Sequence, residues 1–245
     1  FDGNTAETRT LLPTLTKVLE RFPSVQRLVL VADRGLLSLD NLEALKAVRL
    51  ASGKPLEFIV AVPGRRYNEF IELLEPFHEQ QCATATQEVI SEQAWNDLRL
   101  VVAHDPVTAA TKTQQRNERI DALTRQADQW TGKLTEQDEG VKHRGRKLSD
   151  SGAKARFYHA VSEAHLSRII KVELGEERFS YHIDVKAKRL AEMMDGKLLL
   201  VTNAEGLAAQ NVIQRYKSLA DIERGFKVLK SEIDIGPVYH RLPER

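Results

Sequence analysis

The chain holds one cysteine, Cys82, so an internal disulfide is excluded, and no Cys/His group has the spacing of a zinc site. A reducing, cytosolic setting fits. No apolar run approaches the ~20 residues needed to cross a bilayer, so no membrane partner is expected. The opening Phe1-Asp2-Gly3-Asn4-Thr5 has no basic flank, no apolar core and no initiator methionine. It reads as the start of an excised piece and not as a signal peptide. An excess of one charge is missing too: 36 Lys and Arg face 35 Asp and Glu over 245 residues, a net charge of +1. Any nucleic-acid contact must therefore come from local patches and not from the whole chain. P-loop, dinucleotide fingerprint and G-x-S-x-G elbow are all absent, as are internal repeats and low-complexity tracts. What is present is 42% hydrophobic and 29% charged residues, the composition of an ordinary folded protein. The length allows one large domain, or a core with an insertion.

Apolar periodicity gives the organisation. Leu11, Leu12, Leu15, Val18 and Leu19 mark a helix over 8–22, broken by Pro23-Ser24. Leu28 to Val31 is a run of four large apolar residues and reads as a strand buried on both faces, ending at Asp33-Arg34-Gly35. A helix follows from Ser38 or Asp40 to about Ala51, with one of those two as N-cap. Leu56 to Val62 is a second buried strand, closed by Pro63-Gly64. Strand, helix, strand at this spacing is an α/β unit with a mainly parallel sheet. After Pro63 the character changes. Two paired strands are expected near 88–90 and 98–103. A long helix over about 105–136 carries Ile120, Leu123, Ala127, Trp130 and Leu134 as a coiled-coil-like seam. A glycine-bearing basic loop covers 140–152, and a helix over 153–170 would complete a helical hairpin. Phe179, Tyr181, Ile183 and Val185 alternate as a half-buried strand. A short helix over 186–194, a buried strand over 197–202 and a helix over roughly 207–232 close the series. The expected fold is an α/β core interrupted by a mostly helical insertion with some strands. Its boundaries are 1–63 and 179–245 for the core and 64–178 for the insertion.

Two places could carry chemistry. Asp33 stands at the carboxyl end of a buried strand, where open α/β sheets place ligands; alone, it reads as a loop cap sooner than as a functional carboxylate. On the last helix, Tyr216, Glu223 and Lys230 are seven residues apart each time, so they project within about 40° of one another. Ile222, Phe226, Leu229 and Ile233 form a stripe about 80° round and are expected to pack on the sheet. Alone, the Tyr/Glu/Lys face reads as a solvated flank. Together, a carboxylate at a strand end and one on a helix make what magnesium needs, which is oxygen ligands, often only one or two carboxylates, with water and phosphate completing the shell. Two such ions can activate water and stabilise a leaving oxygen in phosphodiester cleavage. The cluster Lys142, Arg144, Arg146, Lys147, Lys154 and Arg156 stands against one acid, Asp150, and reads either as a phosphate-gripping loop or as a solvated charge run. The histidines, His159 and His165 among them, lack ligand spacing, and Trp95 and Trp130 read as core.

Several segments resemble bacterial insertion-sequence transposases of the DDE-carboxylate type. LVLVADRGLLS, residues 28–38, is similar to their strand bearing the second catalytic aspartate. YKSLADIERGFKVLK, residues 216–230, resembles the signature Y-x2-R-x3-E-x6-K, with Tyr216, Glu223 and Lys230 in place and Leu219 where the arginine stands. DGKLLLVTN at 195–203, GPVYH at 236–240 and FDGNTAE at 1–7 also look like this family, so the resemblance spans nearly the whole chain. It implies a ribonuclease H-like fold with a D, D, E triad holding two magnesium ions, for which Mn2+ can substitute. Asp33 would be the second aspartate and Glu223 the glutamate, both as metal ligands and catalytic groups. The first aspartate belongs on a strand before Phe1; Asp2 is a poor substitute because Gly3-Asn4 is a turn signal with no apolar strand before it. This piece alone is therefore expected to be inactive.

Tyr216, Lys230, Lys142, Arg144, Arg146 and Lys147 would contact DNA. The implied reaction is cleavage of transposon ends by water, then joining of the freed 3′-hydroxyl to target DNA, without a covalent protein–DNA intermediate. The implied partners are transposon-end and target DNA, with a homodimer possible in that complex, and the implied place is the cytoplasm, at the nucleoid. A non-catalytic DNA-binding or assembly remnant, and a host nuclease on the same fold, are the alternative readings.

Overall fold

The computed structural model describes residues 7–33, 42–141, 147–175 and 178–232, leaving out the side chains of 7–10, 174, 175, 223 and 226–232. It is a mixed α/β structure with seven α-helices among the described residues. Five strands form the main sheet: β1 (Val29–Ala32), β2 (Glu57–Ala61), β3 (Val89–Trp95), β4 (Leu98–His104) and β7 (Lys197–Thr202). Their order is β1-β2-β7-β4-β3. β1 and β2 run parallel, with Val31 opposite Ile59 and Ala32 opposite Val60. β7 runs antiparallel to β2, with Ile59 opposite Thr202 and Ala61 opposite Leu200. The sheet is thus mixed where the strand–helix–strand spacing implies a mainly parallel one, because the chain re-enters the sheet at β7 from the opposite end.

Apolar runs decide which strands are central. In β2, β4 and β7 consecutive residues are apolar, so both faces can be covered. Ile59, Ala61, Val101, Ala103 and Leu200 join one buried cluster. Their alternates Phe58, Val60, Leu100, Leu199 and Val201 are fully buried as well. β1 differs from expectation. Val29 to Val31 are only half-buried, because among the described residues β1 is an edge strand paired with β2 alone. β3 and β4 are joined by Asn96-Asp97, with Asn96 at φ 54°, a left-handed conformation that asparagine tolerates.

The remaining helices are α1 (Glu7–Arg21), α2 (Leu42–Ala47), α3 (Ile71–Phe77), α4 (Pro106–Asp138), α5 (Asp150–Glu163), α6 (Val185–Met194) and α7 (Ala209–Glu232). The N-cap expected at Ser38 or Asp40 lies outside the described residues. A 3-10 stretch, Gly64–Phe70, precedes α3, and a π-helical turn, His78–Cys82, follows it.

The chain folds as two compact units. One comprises Phe1–Phe77, Val89–Ala103 and Leu198–Arg245; the other comprises His78–Glu88 and His104–Lys197. The β3–β4 hairpin, which the sequence boundaries put in the insertion, therefore belongs to the main sheet. Phe179 to Ile183, which those boundaries put in the core, forms β6 (Arg178–Ile183) and pairs with β5 (Ile170–Gly175) in a separate two-stranded sheet.

The second unit is built on the seam of α4. Ile120, Ala127 and Leu134 are buried, Leu123 and Trp130 partly so, and they meet Ala153, Phe157 and Val161 of α5. Phe157 is the hub: Trp130, Phe179 and Tyr181 stand edge-on or tilted to it at 6.4, 5.7 and 5.4 Å between ring centroids. Such aromatic pairs add to simple area burial. Asp105 caps α4 by accepting from the backbone N–H groups of Val107 and Thr108. Just before β7, Gly196 has φ 68°, and a Cβ there would lie 2.3 Å from the Asp105 carbonyl oxygen. Only glycine fits that approach.

Candidate functional site

The first unit brings two of the sequence-derived candidates together. Asp33 follows the last residue of β1 and is exposed. α7 lies against β1, β2 and β3. Its Val212 and Ile213 are buried in the sheet cluster, with Ala209 and Tyr216 packed beside them. The entry to α7 is tied down by Arg99 of β4, whose Nη1 donates to the carbonyls of Ala204 at 2.6 Å and Leu207 at 2.9 Å. Thr202 and Asn203 fix the end of β7 on β2. Thr202 Oγ1 donates to Phe58 O at 2.6 Å, Asn203 Nδ2 donates to Leu56 O at 2.9 Å, and Asn203 Oδ1 accepts from Phe58 N at 2.8 Å. With the helix so seated, the Tyr216 hydroxyl donates to Asp33 Oδ1 at 3.1 Å across 183 residues of sequence.

Residues 209, 212, 213 and 216 of α7 meet the sheet cluster. Of the stripe expected on the sheet, Ile222 is 55% exposed, while Ile233 and the side chains of Phe226 and Leu229 lie outside the described residues. Leu219, at the arginine position of the signature, is half-buried. Glu223 and Lys230 are helical, but their side chains lie outside the described residues, as do Lys142, Arg144 and Arg146. Lys147 is described; it is exposed and stands just before the Ser149 cap of α5. Among the described residues no three His, Cys, Asp or Glu side chains gather as a metal site. Asp33 offers one accessible carboxylate at a strand end, and magnesium commonly takes only one or two carboxylates from protein.

The second unit holds a cluster that the sequence did not reveal. Lys197 is 4% exposed, and its Nζ donates to Met193 O at 2.7 Å and lies 3.0 Å from His78 Nδ1. With Lys197 as an ammonium, which has no acceptor, His78 Nδ1 is the accepting atom of this contact. Burial lowers the Lys197 pKa, against smaller opposing effects of Cys82 and Asp195. Burial also lowers the pKa of His78 and of His104, with Lys197 the next cause in both. The Cys82 thiol is pushed up by burial. Beside them opens a cleft of about 780 Å³ whose lining includes His78, Cys82, His104, Thr113, Asn117 and Glu118. His104 Nδ1 and Asn117 Oδ1 are buried and have no hydrogen-bond partner among the described residues. The residues come from three distant stretches with no ligand-like spacing, so no sequence signal points to them.

A pH dependence follows. Both histidines have folded pKa values below the ordinary 6.5. As pH falls below 6.5 the unfolded chain binds the protons first, so stability is lost until pH drops below the folded values. Each histidine can contribute a slope of at most about 1.4 kcal/mol per pH unit in that window. Urea midpoints measured from pH 7 to 5 should therefore fall, and His104→Gln should flatten the fall. An equally steep fall in the variant would show that His104 is not one of the groups titrating. Exposed Asp97 and Glu69, whose pKa values are lowered mainly by hydrogen bonds from Lys46 and Arg66, act in a separate window below the ordinary carboxylate range. Comparison with protein-family models, curated proteins and solved structures returned no match.

Proposed function

We propose that the chain is part of the catalytic domain of a DDE-type DNA transposase with a ribonuclease H-like core, cutting transposon ends and joining them to target DNA. One observation carries the reading: the tyrosine of the helix signature donates its hydroxyl hydrogen bond to the aspartate of the strand-end signature. Two motifs that resemble one family separately, and lie far apart in sequence, meet in space at the end of a sheet strand.

In this reading Asp33 and Glu223 hold magnesium. Bound there, the metal would supply a more acidic water and charge neutralisation at the phosphoryl oxygens. The chain's own residues bind and orient. Lys230 contacts the backbone near the scissile phosphate, and the basic segment at 142–147 grips phosphates further along. Phosphate contacts of this kind position DNA without reading its sequence.

The test uses the full-length protein and a labelled duplex carrying the end of its element. Cutting and joining are expected with Mg2+ or Mn2+, and neither with EDTA. Lys230→Ala should weaken DNA binding about tenfold and make the salt slope shallower by about 0.9, the share of a single neutralised phosphate. Binding without cutting in either metal would leave a non-catalytic assembly module. Cutting without joining would favour a nuclease.

A further inference from the structure

We infer that Tyr216 is a positioning residue for the metal-binding carboxylate of Asp33 and not a DNA contact, an inference that rests on the transposase reading. The signature it occupies implies a phosphate partner. The geometry gives another: the hydroxyl donates to Asp33 Oδ1 at 3.1 Å. A phenol has a single O–H, and phosphate oxygens of the DNA backbone only accept. The proton committed to Asp33 therefore cannot serve a phosphate at the same time.

The surroundings suit the role. Among the described residues Asp33 is exposed, at the end of the half-buried strand β1. Tyr216 is anchored: its ring packs on the sheet cluster formed by Ile59, Leu200 and Ile213 among others. A packed donor thus meets an exposed acceptor. A carboxylate has about four acceptor positions, so taking one tyrosine hydrogen bond is compatible with ligating a cation. Groups that orient metal ligands in this way typically cost about 10–100-fold in metal affinity when removed.

Tyr216→Phe keeps the packed ring and deletes only the hydroxyl. The probe is Mn2+ alone, titrated into full-length protein and followed by electron paramagnetic resonance, with Asp33→Asn beside it. Duplex binding is measured over a salt series in the absence of divalent metal. Expected for Tyr216→Phe are Mn2+ affinity about tenfold weaker than the parent's and an unchanged DNA affinity and salt slope. Parental Mn2+ affinity in Tyr216→Phe, with binding abolished in Asp33→Asn, would overturn the positioning role and leave the transposase reading standing. A lowered DNA affinity, with a salt slope shallower by about 0.9, would restore the DNA role instead. Asp33→Asn binding Mn2+ like the parent, or a parent that binds none, would sink the metal reading of Asp33 and this inference with it.

Discussion

Asp33→Asn in the full-length protein should leave transposon-end DNA bound and cutting reduced about a thousandfold. The change is nearly isosteric, and the amide oxygen can still accept the Tyr216 hydroxyl that now bonds Oδ1. The strand end and helix should therefore stay as they are. What disappears is the negative charge that, in the proposed reading, would hold a divalent ion at the scissile phosphate. Metal stabilisation of a phosphoryl transition state is worth several kcal/mol. About 4 kcal/mol corresponds to roughly three decades of rate. Asp33 is exposed, so a plain surface role predicts a different outcome: stability within about 0.5 kcal/mol and cutting near the parental rate. A labelled-end cleavage assay with a gel shift on the same preparations separates the two. Cleavage within a few-fold of the parent would remove Asp33 from the site.

The second large effect is on stability and concerns another aspartate of a signature-like stretch. Asp195 opens DGKLLLVTN, and its surroundings make it one half of a buried ion pair. Arg116 Nη2 lies 2.5 Å from Oδ1 and 2.7 Å from Oδ2, and Thr113 Oγ1 donates to Oδ2 at 2.8 Å. The side chains are only 7% and 15% exposed for Asp195 and Arg116. Asp195→Ala would strand the guanidinium, whose Nη1 already lacks a partner. Removing one member of a buried pair costs about 3–5 kcal/mol, on the order of 10 °C in melting temperature for a protein of this size. The double change Asp195→Leu with Arg116→Met should recover most of that deficit, because an apolar pair of similar volume needs no partner. If the single variant melts within about 1 kcal/mol of the parent, the pair is not the internal tie described. If it stays folded yet stops cutting, Asp195 belongs to the chemistry after all.

Part of this structure can be read from sequence, and the reasons are local. The apolar runs at 57–61 and 197–202 announce buried strands, since few other arrangements hide so many consecutive apolar residues. The seam from Ile120 to Leu134 announces a helix with one buried stripe, and it is one. Asp33 stands out because a carboxylate at a strand end has a positional meaning. The misreadings concern partners. A strand is expected near 88–90 and is found over Val89–Trp95, but the sequence does not say which sheet it joins. The half-burial of Val29 to Val31 goes with having, among the described residues, a neighbour on one side only. The first residue of Ile170–Gly175 falls within the helix expected over 153–170 because its apolar residues fit either period, and pairing with Arg178–Ile183 decides it. On α7, Ile222 looks like a packing residue because it is apolar, yet Val212 and Ile213 do the packing. The Lys197–His78 contact and the Tyr216–Asp33 contact join positions 119 and 183 residues apart, which no spacing rule within one element can anticipate.

The strand order carries a consequence for how the chain comes off the ribosome. β7 lies at the middle of the five-stranded sheet, yet it is the last of the five to be made. At roughly 5–20 residues per second, the delay between synthesis of β1 and of β7 is on the order of 10–30 s. Once made, β2 and β4 have unpaired backbone edges and apolar faces until β7 joins them. The helical unit, largely a continuous stretch before β7, can assemble meanwhile from near-neighbour contacts, which form fast. The sheet must wait for a closing strand. Nascent chains stalled before residue 197 should therefore be the ones that chaperones hold and that aggregate when released.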